Sequence, residues 1–180
     1  MTTTPLILLL SGSLRAGSSN EAVLRTAHAV AAKGSSKVRT ILYEGLAELP
    51  HFNPDHDTDP LPAPVAELRA AIAEASALLV CTPEYAGTLP GSFKNLLDWT
   101  VGGTEISDKP VAWVNVAAPG RGGGAEATLR TVLGYTGAAV VEEACVRIPV
   151  PGQQAGPDGT LADPAVRERL GEVLGLLAGS

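Results

Sequence analysis

Apolar residues along the chain follow two different spacings. Short continuous apolar runs predict strands buried on both faces of a parallel sheet, at residues 6–10, 38–43, 77–81, 110–116 and 138–141. Apolar residues at helical spacing predict helices at residues 20–33, 64–75, 91–99, 125–135 and 161–177. Residues 146–150 either continue the fifth strand or form a separate one. Five strands alternating with five helices predict an α/β fold, a doubly wound parallel sheet with helices on both faces.

The composition suits a single domain over residues 1–180. A chain of this length with 45% hydrophobic residues can bury one α/β core and leaves no room for a second. The net charge of −6, without runs of Lys or Arg, disfavours nucleic-acid binding, which needs a basic face. No stretch approaches the roughly 20 apolar residues of a membrane span, and the N-terminus lacks the basic start of a signal peptide. We therefore expect a cytoplasmic protein that binds neither nucleic acid nor membrane.

The residues that could hold a metal do not form a convincing site. Cys81 and Cys145 lie far apart, and we expect both to be reduced thiols. Two cysteines and three histidines make a structural zinc site unexpected. The polar loop that contains Asp55, His56, Asp57 and Asp59 is typical of a solvated surface. We expect no metal.

The turn after the first strand, residues 11–20, has the composition of an anion site. Glycines let the backbone approach a ligand, serine hydroxyls donate hydrogen bonds, and Asn20 can cap the next helix. The helix N-terminus adds unpaired N–H groups, and Arg15 adds a full charge on a planar fork suited to phosphate. The turn is neither a P-loop nor a G-x-G-x-x-G dinucleotide site. It predicts a site for a phosphate monoester; the alternative is a capped turn without a ligand.

The segment after the third strand, residues 82–99, is a second candidate. If the strand order is 2-1-3-4-5, this segment faces the phosphate turn across the switch point of the sheet, where such folds bind ligands. Pro83 and Pro90 stiffen it, and Gly87 permits a backbone turn. A rigid loop of exposed amides can hydrogen-bond the edge of a planar heteroaromatic ring.

These two segments resemble the NADPH-dependent FMN reductase family of flavodoxin-like proteins. The resemblance rests on G-S-L-R-x-G-S-x-N at residues 12–20 and P-E-Y-x-G-T-L-P-G-x-x-K-N-x-x-D-W at residues 83–99. The glycine-rich residues 119–125 stand where that family has its third flavin loop. The resemblance covers nearly the whole chain up to Val150. It implies a flavodoxin-like, five-stranded sheet of order 2-1-3-4-5.

The resemblance also implies which residues bind FMN. It assigns the phosphate to Ser13, Arg15, Ser18 and Asn20, with Ser19 contributing its amide. It assigns the ring edge, largely through backbone groups, to Pro83, Glu84, Tyr85, Ala86, Gly87 and Thr88. The third loop would approach the ring with Ala118, Pro119 and Gly120. The family often has Asn where this chain has Ala86, and hydroxyl residues where it has Ala117 and Ala118.

The activity that the resemblance implies is that of an FMN-dependent NAD(P)H oxidoreductase. Hydride from NADPH or NADH would pass by way of bound FMN to a second acceptor: a flavin, a quinone, an azo compound or a metal oxyanion. We expect no catalytic side chain, because the cofactor carries the chemistry. Glu84 is expected to be structural, with a partner across a dimer. A homodimer or homotetramer is implied, with Tyr85, Phe93 and Trp99 as an apolar interface near the flavin.

Two other classes compete with this interpretation. A flavodoxin-type one-electron carrier usually buries its flavin between two aromatic side chains. This chain has only 4% aromatic residues, and its ring loops offer only Tyr85, which favours an open flavin face. A flavin-free regulatory protein with the same fold would have no use for the charge of Arg15. The enzyme is therefore the favoured hypothesis.

Overall fold

In the part of the chain that the structure describes, six parallel strands form the sheet. The computed structural model describes residues 4–34, 37–150 and 155–180. The strands are β1 (Leu6–Ser11), β2 (Arg39–Tyr43), β3 (Ala77–Cys81), β4 (Pro110–Asn115), β5 (Ala139–Val140) and β6 (Val146–Arg147). Their order is β2-β1-β3-β4-β5, with β6 also paired to β4. The predicted order is confirmed, and the fifth position is shared by two short strands.

The split of this edge position follows from the pairing of β4. Its first residues, Pro110 and Val111, pair with β5, and its last, Val114 and Asn115, pair with β6. A short 3₁₀ turn, Glu142–Ala144, separates the two strands. Residues 146–150 therefore contain a separate strand, one of the two possibilities that the sequence left open.

Five α-helices, counted over the same described ranges, cover the two faces of the sheet. They are α1 (Ser19–Ala32), α2 (Ala63–Glu74), α3 (Gly91–Asp98), α4 (Gly123–Thr136) and α5 (Pro164–Ala178). Helices α1 and α5 share one buried cluster with one face of the sheet. Helices α2, α3 and α4 share the other cluster. The flavodoxin-like architecture expected from the sequence is confirmed.

The central strand β1 shows why the apolar runs are continuous. Ile7 and Leu9 belong to one cluster, whereas Leu8 and Leu10 belong to the other. All four side chains are at most 2% exposed. Burying each contributes roughly 1.5–3 kcal/mol relative to exposure, so both faces of this strand require apolar residues.

Three expectations about local structure are wrong. Asn20 does not cap α1: Ser18 is the N-cap, because its hydroxyl accepts the Glu21 N–H (3.1 Å). Helix α5 begins at Pro164 rather than at residue 161, because Asp163 caps it by accepting the Ala165 N–H (2.9 Å). Helix α4 begins two residues earlier than expected, at Gly123.

The expected apolar interface is also wrong for two of its three members. Phe93 and Trp99 are 0% exposed and belong to the core beneath α3, so neither can contact a second subunit. Tyr85, by contrast, is 53% exposed.

Asp57 departs from the solvated surface expected for its loop. Its carboxylate accepts a hydrogen bond from Arg69 Nη2 (2.7 Å), and both side chains are about 10% exposed. The same Arg69 nitrogen donates to the carbonyl of Trp99 (2.8 Å). This pair therefore ties the polar loop to α2 and to the end of α3.

Within the described ranges, no group of three or more His, Cys, Asp or Glu side chains could hold a metal ion. No described helix is both long enough and apolar enough to cross a membrane.

Candidate functional site

Three loops meet at the carboxyl ends of β1, β3 and β4, which are neighbours in the sheet. We call residues 12–18 the first loop, residues 82–90 the second loop and residues 116–122 the third loop. The chain leaves β1 toward β2 on one side and returns to β3 on the other, which makes this the switch point of the sheet. A cleft of about 320 Å³ opens between the loops. It is lined by Arg15, Ser19, Asn20, Thr82, Pro83, Glu84, Asn115, Val116, Ala117, Ala118, Arg121, Gly122 and Val150.

The first loop presents free backbone N–H groups at the start of α1. The N–H of Glu21 is taken by Ser18 Oγ, and the Glu21 carboxylate in turn accepts the N–H of Gly17 (3.2 Å). Among the described residues, no acceptor contacts the N–H of Ser19 or of Asn20. The first N–H groups of a helix lack intrahelical partners and carry partial positive charge. Both residues line the cleft, so this charge is available to an anion there.

Two of the serines predicted to hold phosphate have roles inside the loop. Ser18 is 1% exposed, and its hydroxyl is occupied by the cap. Ser13 Oγ accepts the N–H of Arg15 (3.2 Å), and Ser13 lines a neighbouring cavity of about 270 Å³ on the β2 side. Arg15 lines both cavities. A phosphate contact by Ser13 or Ser18 stays a prediction.

Gly12 brings the first and second loops into contact. Its N–H donates to the carbonyl of Cys81 (2.9 Å). A Cβ at this position would lie 2.1 Å from Thr82 Oγ1, closer than any side chain can approach. Only glycine therefore allows the two loops to lie this close.

Below the cleft, the thiol of Cys81 contacts Asn20. Cys81 Sγ donates to Asn20 Oδ1 (3.4 Å), and Cys81 is 0% exposed. Burial raises the pKa of the Cys81 thiol far above its ordinary value, so it remains a donor at all physiological pH values. This contact leaves the amide nitrogen of Asn20 for the cleft.

The second loop folds back as a two-residue hairpin. The N–H of Tyr85 donates to the carbonyl of Thr88 (2.9 Å), and the N–H of Thr88 donates back to Tyr85 (3.1 Å). Ala86 (φ +50°) and Gly87 (φ +77°) occupy the two central positions. Positive φ at both is the pattern of a type I′ turn, for which Asn-Gly is preferred. The hairpin is exposed at the mouth of the cleft.

Glu84 joins the second loop to the helix that follows the third. Its Oε2 accepts the N–H groups of Gly124 (2.7 Å) and Ala125 (3.0 Å) at the start of α4. A Cβ at Gly124 would lie 2.1 Å from the carbonyl oxygen of Gly87, so the hairpin packs directly on the helix end. Glu84 therefore has the structural role expected from the sequence, with partners within the chain. The expected contact across a dimer stays a prediction.

The third loop is held by Asn115 at the end of β4. Its Oδ1 accepts the N–H of Ala117 (2.9 Å), and its Nδ2 donates to Glu126 (2.8 Å) and to the carbonyl of Gly122 (3.3 Å). Residues 118–121 then form a turn with Gly120 at φ +80°. Pro followed by a positive-φ glycine is typical of a type II turn.

The structure brings six of the predicted site residues to the wall of the cleft: Arg15, Ser19, Asn20, Pro83, Glu84 and Ala118. The other predicted residues belong to the same three loops but do not line it. Sequence reasoning missed Asn115 and Arg121. The signals were a single polar residue at the end of an apolar strand, and a cation inside a glycine-rich turn.

The electrostatics of the cleft favour anions. Its lining contains two cations, Arg15 and Arg121, and one acid, Glu84, whose carboxylate is already engaged by two N–H groups. The described lining includes no histidine and no nucleophile paired with a base. Such a cleft can bind and orient a phosphorylated ring, but it offers no acid–base machinery of its own.

Comparison with known proteins gives a consistent result. The family model described as NADPH-dependent FMN reductase matches residues 5–150. The chain is 33% identical over 172 residues to an NAD(P)H-dependent FMN reductase of Pseudomonas aeruginosa, covering 93% of this chain and 90% of the relative. It is 32% identical to an NADPH:quinone oxidoreductase of Arabidopsis thaliana, over 93% of this chain and 87% of the relative. Among solved structures, the flavoenzyme NAD(P)H:(acceptor) oxidoreductase FerB of Paracoccus denitrificans superposes with a TM-score of 0.80 at 27% identity, covering 97% and 96% of the two chains.

Proposed function

The chain belongs to the NADPH-dependent FMN reductase family, and from that premise we propose that the cleft holds FMN, with its phosphate on the first loop and its ring between the second and third. The chain is an FMN-dependent NAD(P)H oxidoreductase. When bound, FMN supplies the redox chemistry by accepting hydride from the nicotinamide nucleotide and reducing a second substrate. The residues of the chain supply binding and orientation.

The first loop fits a phosphate monoester. Two free N–H groups, those of Ser19 and Asn20, lie at the N-terminus of α1, where the helix dipole favours negative charge. Arg15 adds a guanidinium that lines the same cleft. This combination of unpaired donors and one cation is the observation that carries the proposal.

The second and third loops fit the edge of a planar ring. The hairpin uses the N–H groups of Tyr85 and Thr88 internally, which leaves those of Glu84, Ala86 and Gly87 for a ligand. In the third loop, Pro119 has no N–H, and the N–H of Gly120 has no acceptor among the described residues. Glu84 and Asn115 hold the two loops in place by the bonds described above. The ring contacts of Pro83, Tyr85 and Thr88 would then be made by other backbone or side-chain atoms.

The same geometry favours an enzyme over a one-electron carrier. A carrier usually holds its flavin between two aromatic side chains, whereas the described residues that line the cleft include no aromatic side chain. We propose a small quinone or flavin as acceptor, in keeping with the names of the relatives. An open ring face lets the nucleotide and the acceptor use one position in turn, which predicts ping-pong kinetics.

The quaternary state and the cellular compartment are proposed on grounds other than the geometry of the cleft. We propose a homodimer or homotetramer in the cytoplasm, supported by the family resemblance and by the exposure of Tyr85 and of Tyr135, which is 90% exposed. Sedimentation velocity tests the first point: a monomer at micromolar concentration would contradict it. Fractionation of the native host tests the second.

The experiment that tests the binding site compares FMN with riboflavin, which has the same ring and no phosphate. Quenching of flavin fluorescence on titration with the protein measures both dissociation constants. We expect FMN to bind about tenfold or more tightly than riboflavin, since a charge-assisted phosphate contact is worth roughly 1.5–3 kcal/mol. Equal affinities would remove the phosphate from the first loop.

A further inference from the structure

The cleft carries a second cation, Arg121, on the third loop, whereas the proposed FMN phosphate site lies on the first loop. We propose that Arg121 binds a phosphate group of the nicotinamide nucleotide and thereby sets the affinity of the enzyme for its hydride donor. This inference rests on the proposed FMN site, because it places the nucleotide in what the flavin leaves of the same cleft.

The backbone of Arg121 is fixed, whereas its side chain is free. Its N–H donates to the carbonyl of Ala118 (3.0 Å), and its carbonyl accepts from Arg147 Nη1 (2.8 Å). Arg147 itself is neutralised by Glu126 (2.5 Å). Arg121 therefore projects an exposed guanidinium from a braced turn, so that its side chain, and not the backbone of the turn, has to be ordered when a ligand binds.

The charge of Arg121 has no partner in the part of the chain that the structure describes. No carboxylate there lies within 4.0 Å of its guanidinium, and Glu84, the acid in the cleft, is occupied by Gly124 and Ala125. Residues 151–154, which follow Val150 in the chain, include no Asp or Glu. An unpaired cation in a concave site of a protein with net charge −6 is a local attraction for an anion.

The sheet separates Arg121 from the phosphate site on the first loop. The first loop leaves β1 and the third loop leaves β4, with β3 between them. Two strand spacings place the roots of these loops roughly 10 Å apart. Arg15 and the free N–H groups of α1 form the proposed site for the FMN phosphate. Arg121, on the third loop, can bind a second phosphate group. The hydride donor brings that second anion, since it carries a diphosphate and, in NADPH, a 2′-phosphate.

The test uses the FMN-loaded protein and the Arg121→Ala variant without any acceptor. Anaerobic stopped-flow reduction at increasing NADPH gives the apparent dissociation constant and the limiting rate separately. We expect the dissociation constant to rise about tenfold or more in the variant, with the limiting rate retained. Calorimetric titration with NADP⁺ should show the same weakening without any turnover. Arg121→Lys should keep part of the affinity.

Three controls make the result specific. The donor 1-benzyl-1,4-dihydronicotinamide carries no phosphate, and its reaction should be unchanged in Arg121→Ala. Arg169→Ala removes an equal charge from α5, on the opposite face of the sheet, and should leave NADPH affinity within about twofold. FMN affinity should be unchanged in Arg121→Ala. If Arg121→Ala loses more affinity for NADPH than for NADH, Arg121 binds the 2′-phosphate. If it loses affinity equally for both, Arg121 binds the diphosphate. Both results support the proposal.

Several outcomes would overturn it. Unchanged NADPH and NADP⁺ affinity in Arg121→Ala would do so, as would an equal loss with the benzyl donor. A rise confined to the KM of an anionic quinone would assign Arg121 to the acceptor instead. Failure of the wild-type protein to bind FMN would overturn the proposed function, and this inference with it. If FMN binds but Arg121→Ala leaves nucleotide affinity unchanged, only this inference fails and the proposed flavin site is unaffected.

Discussion

At the scale of the residue, Ala86 sits in a backbone conformation that its side chain disfavours. Its φ of +50° belongs to the left-handed region, where a Cβ crowds the following carbonyl oxygen and costs roughly 1–2 kcal/mol. Glycine avoids this contact, and Asn tolerates it. The family resemblance implies that Asn is common at this position, and the hairpin geometry gives a physical reason for it.

We predict that Ala86→Gly and Ala86→Asn stabilise the protein, by about 0.5–1 kcal/mol in urea unfolding. The matched control is Ala127→Gly on the exposed face of α4, which should destabilise by about 1 kcal/mol because it lies inside a helix. A loss of stability in both Ala86 variants would contradict the type I′ assignment.

In the proposed phosphate site, Arg15 supplies the full positive charge. We predict that Arg15→Ala weakens FMN binding by roughly 1.5–3 kcal/mol and leaves riboflavin binding unchanged. The measurement is the fluorescence titration of both flavins. An unchanged FMN affinity would remove Arg15 from the site.

The residues of the candidate site differ in how far the sequence alone could identify them. Arg15 stands inside a motif with a recognisable chemistry. Asn115 and Arg121 do not, because their importance depends on which strands are neighbours and on which charges find partners. The serines show the converse: Ser18 matched the motif, yet its hydroxyl is committed to the helix cap.

At the scale of the element, the start of α4 is held by a residue 40 positions earlier in the chain. Glu84 accepts two N–H groups that the helix cannot satisfy itself, and it places negative charge at the positive end of the helix dipole. Thr88 and Thr128 add a side-chain hydrogen bond (2.9 Å) between the hairpin and the same helix. The second loop is therefore bonded directly to the helix that follows the third loop.

We predict that Glu84→Ala costs about 1 kcal/mol of stability, the usual loss for an N-terminal cap, and that it also weakens FMN binding. Glu84→Gln retains an acceptor oxygen and should cost less. It should also leave the rate of reduction by NADPH within about tenfold, because this carboxylate transfers no proton in the reaction. A thousandfold loss in Glu84→Gln would show an acid–base role.

Element boundaries mark where pattern reasoning falls short. Leu161 continues the apolar stripe of α5 and is 3% exposed, but it lies in the loop that precedes the helix and packs in the same core cluster. Its N–H donates to Thr26 Oγ1 (2.8 Å) on α1, a contact between residues 135 positions apart. Local periodicity carries no information about such a partner. The Asp163–Pro164 start was the better local signal.

At the scale of the whole molecule, the fold was predictable because both faces of the sheet are buried. Continuous apolar strands alternating with amphipathic helices restrict the topology to a doubly wound sheet, and the resemblance supplied the strand order. The apolar pattern could not predict that the edge position is divided between β5 and β6, because each of these strands has only two residues.

Burial also sets how the whole molecule responds to alkali. Burial, assisted by the charge of Glu67, raises the pKa of Tyr43 to about 12 from an ordinary value of 10.0. Because the folded state holds this proton more tightly, the stabilisation is complete below pH 10.0 and is lost as pH rises toward about 12. We predict a fall in the free energy of unfolding across this window, shallower in Tyr43→Phe. An identical slope in the variant would contradict the assignment.

The two thiols should be unreactive in the native protein. Burial raises the pKa of Cys145 to about 11, and Cys81 is fully buried. Since the thiolate is the reactive form, we predict slow labelling by Ellman's reagent at pH 8 and rapid labelling of both thiols after denaturation. Fast labelling of the native protein would show that the structure opens around them.

The most direct test is anaerobic addition of NADPH to the FMN-loaded protein, followed by a quinone, with the flavin absorbance recorded throughout. We expect the visible absorbance to bleach with NADPH and to return in full when the quinone is added. Bound FMN that NADPH fails to bleach would indicate an electron carrier, and no FMN binding at all would contradict the flavin site itself.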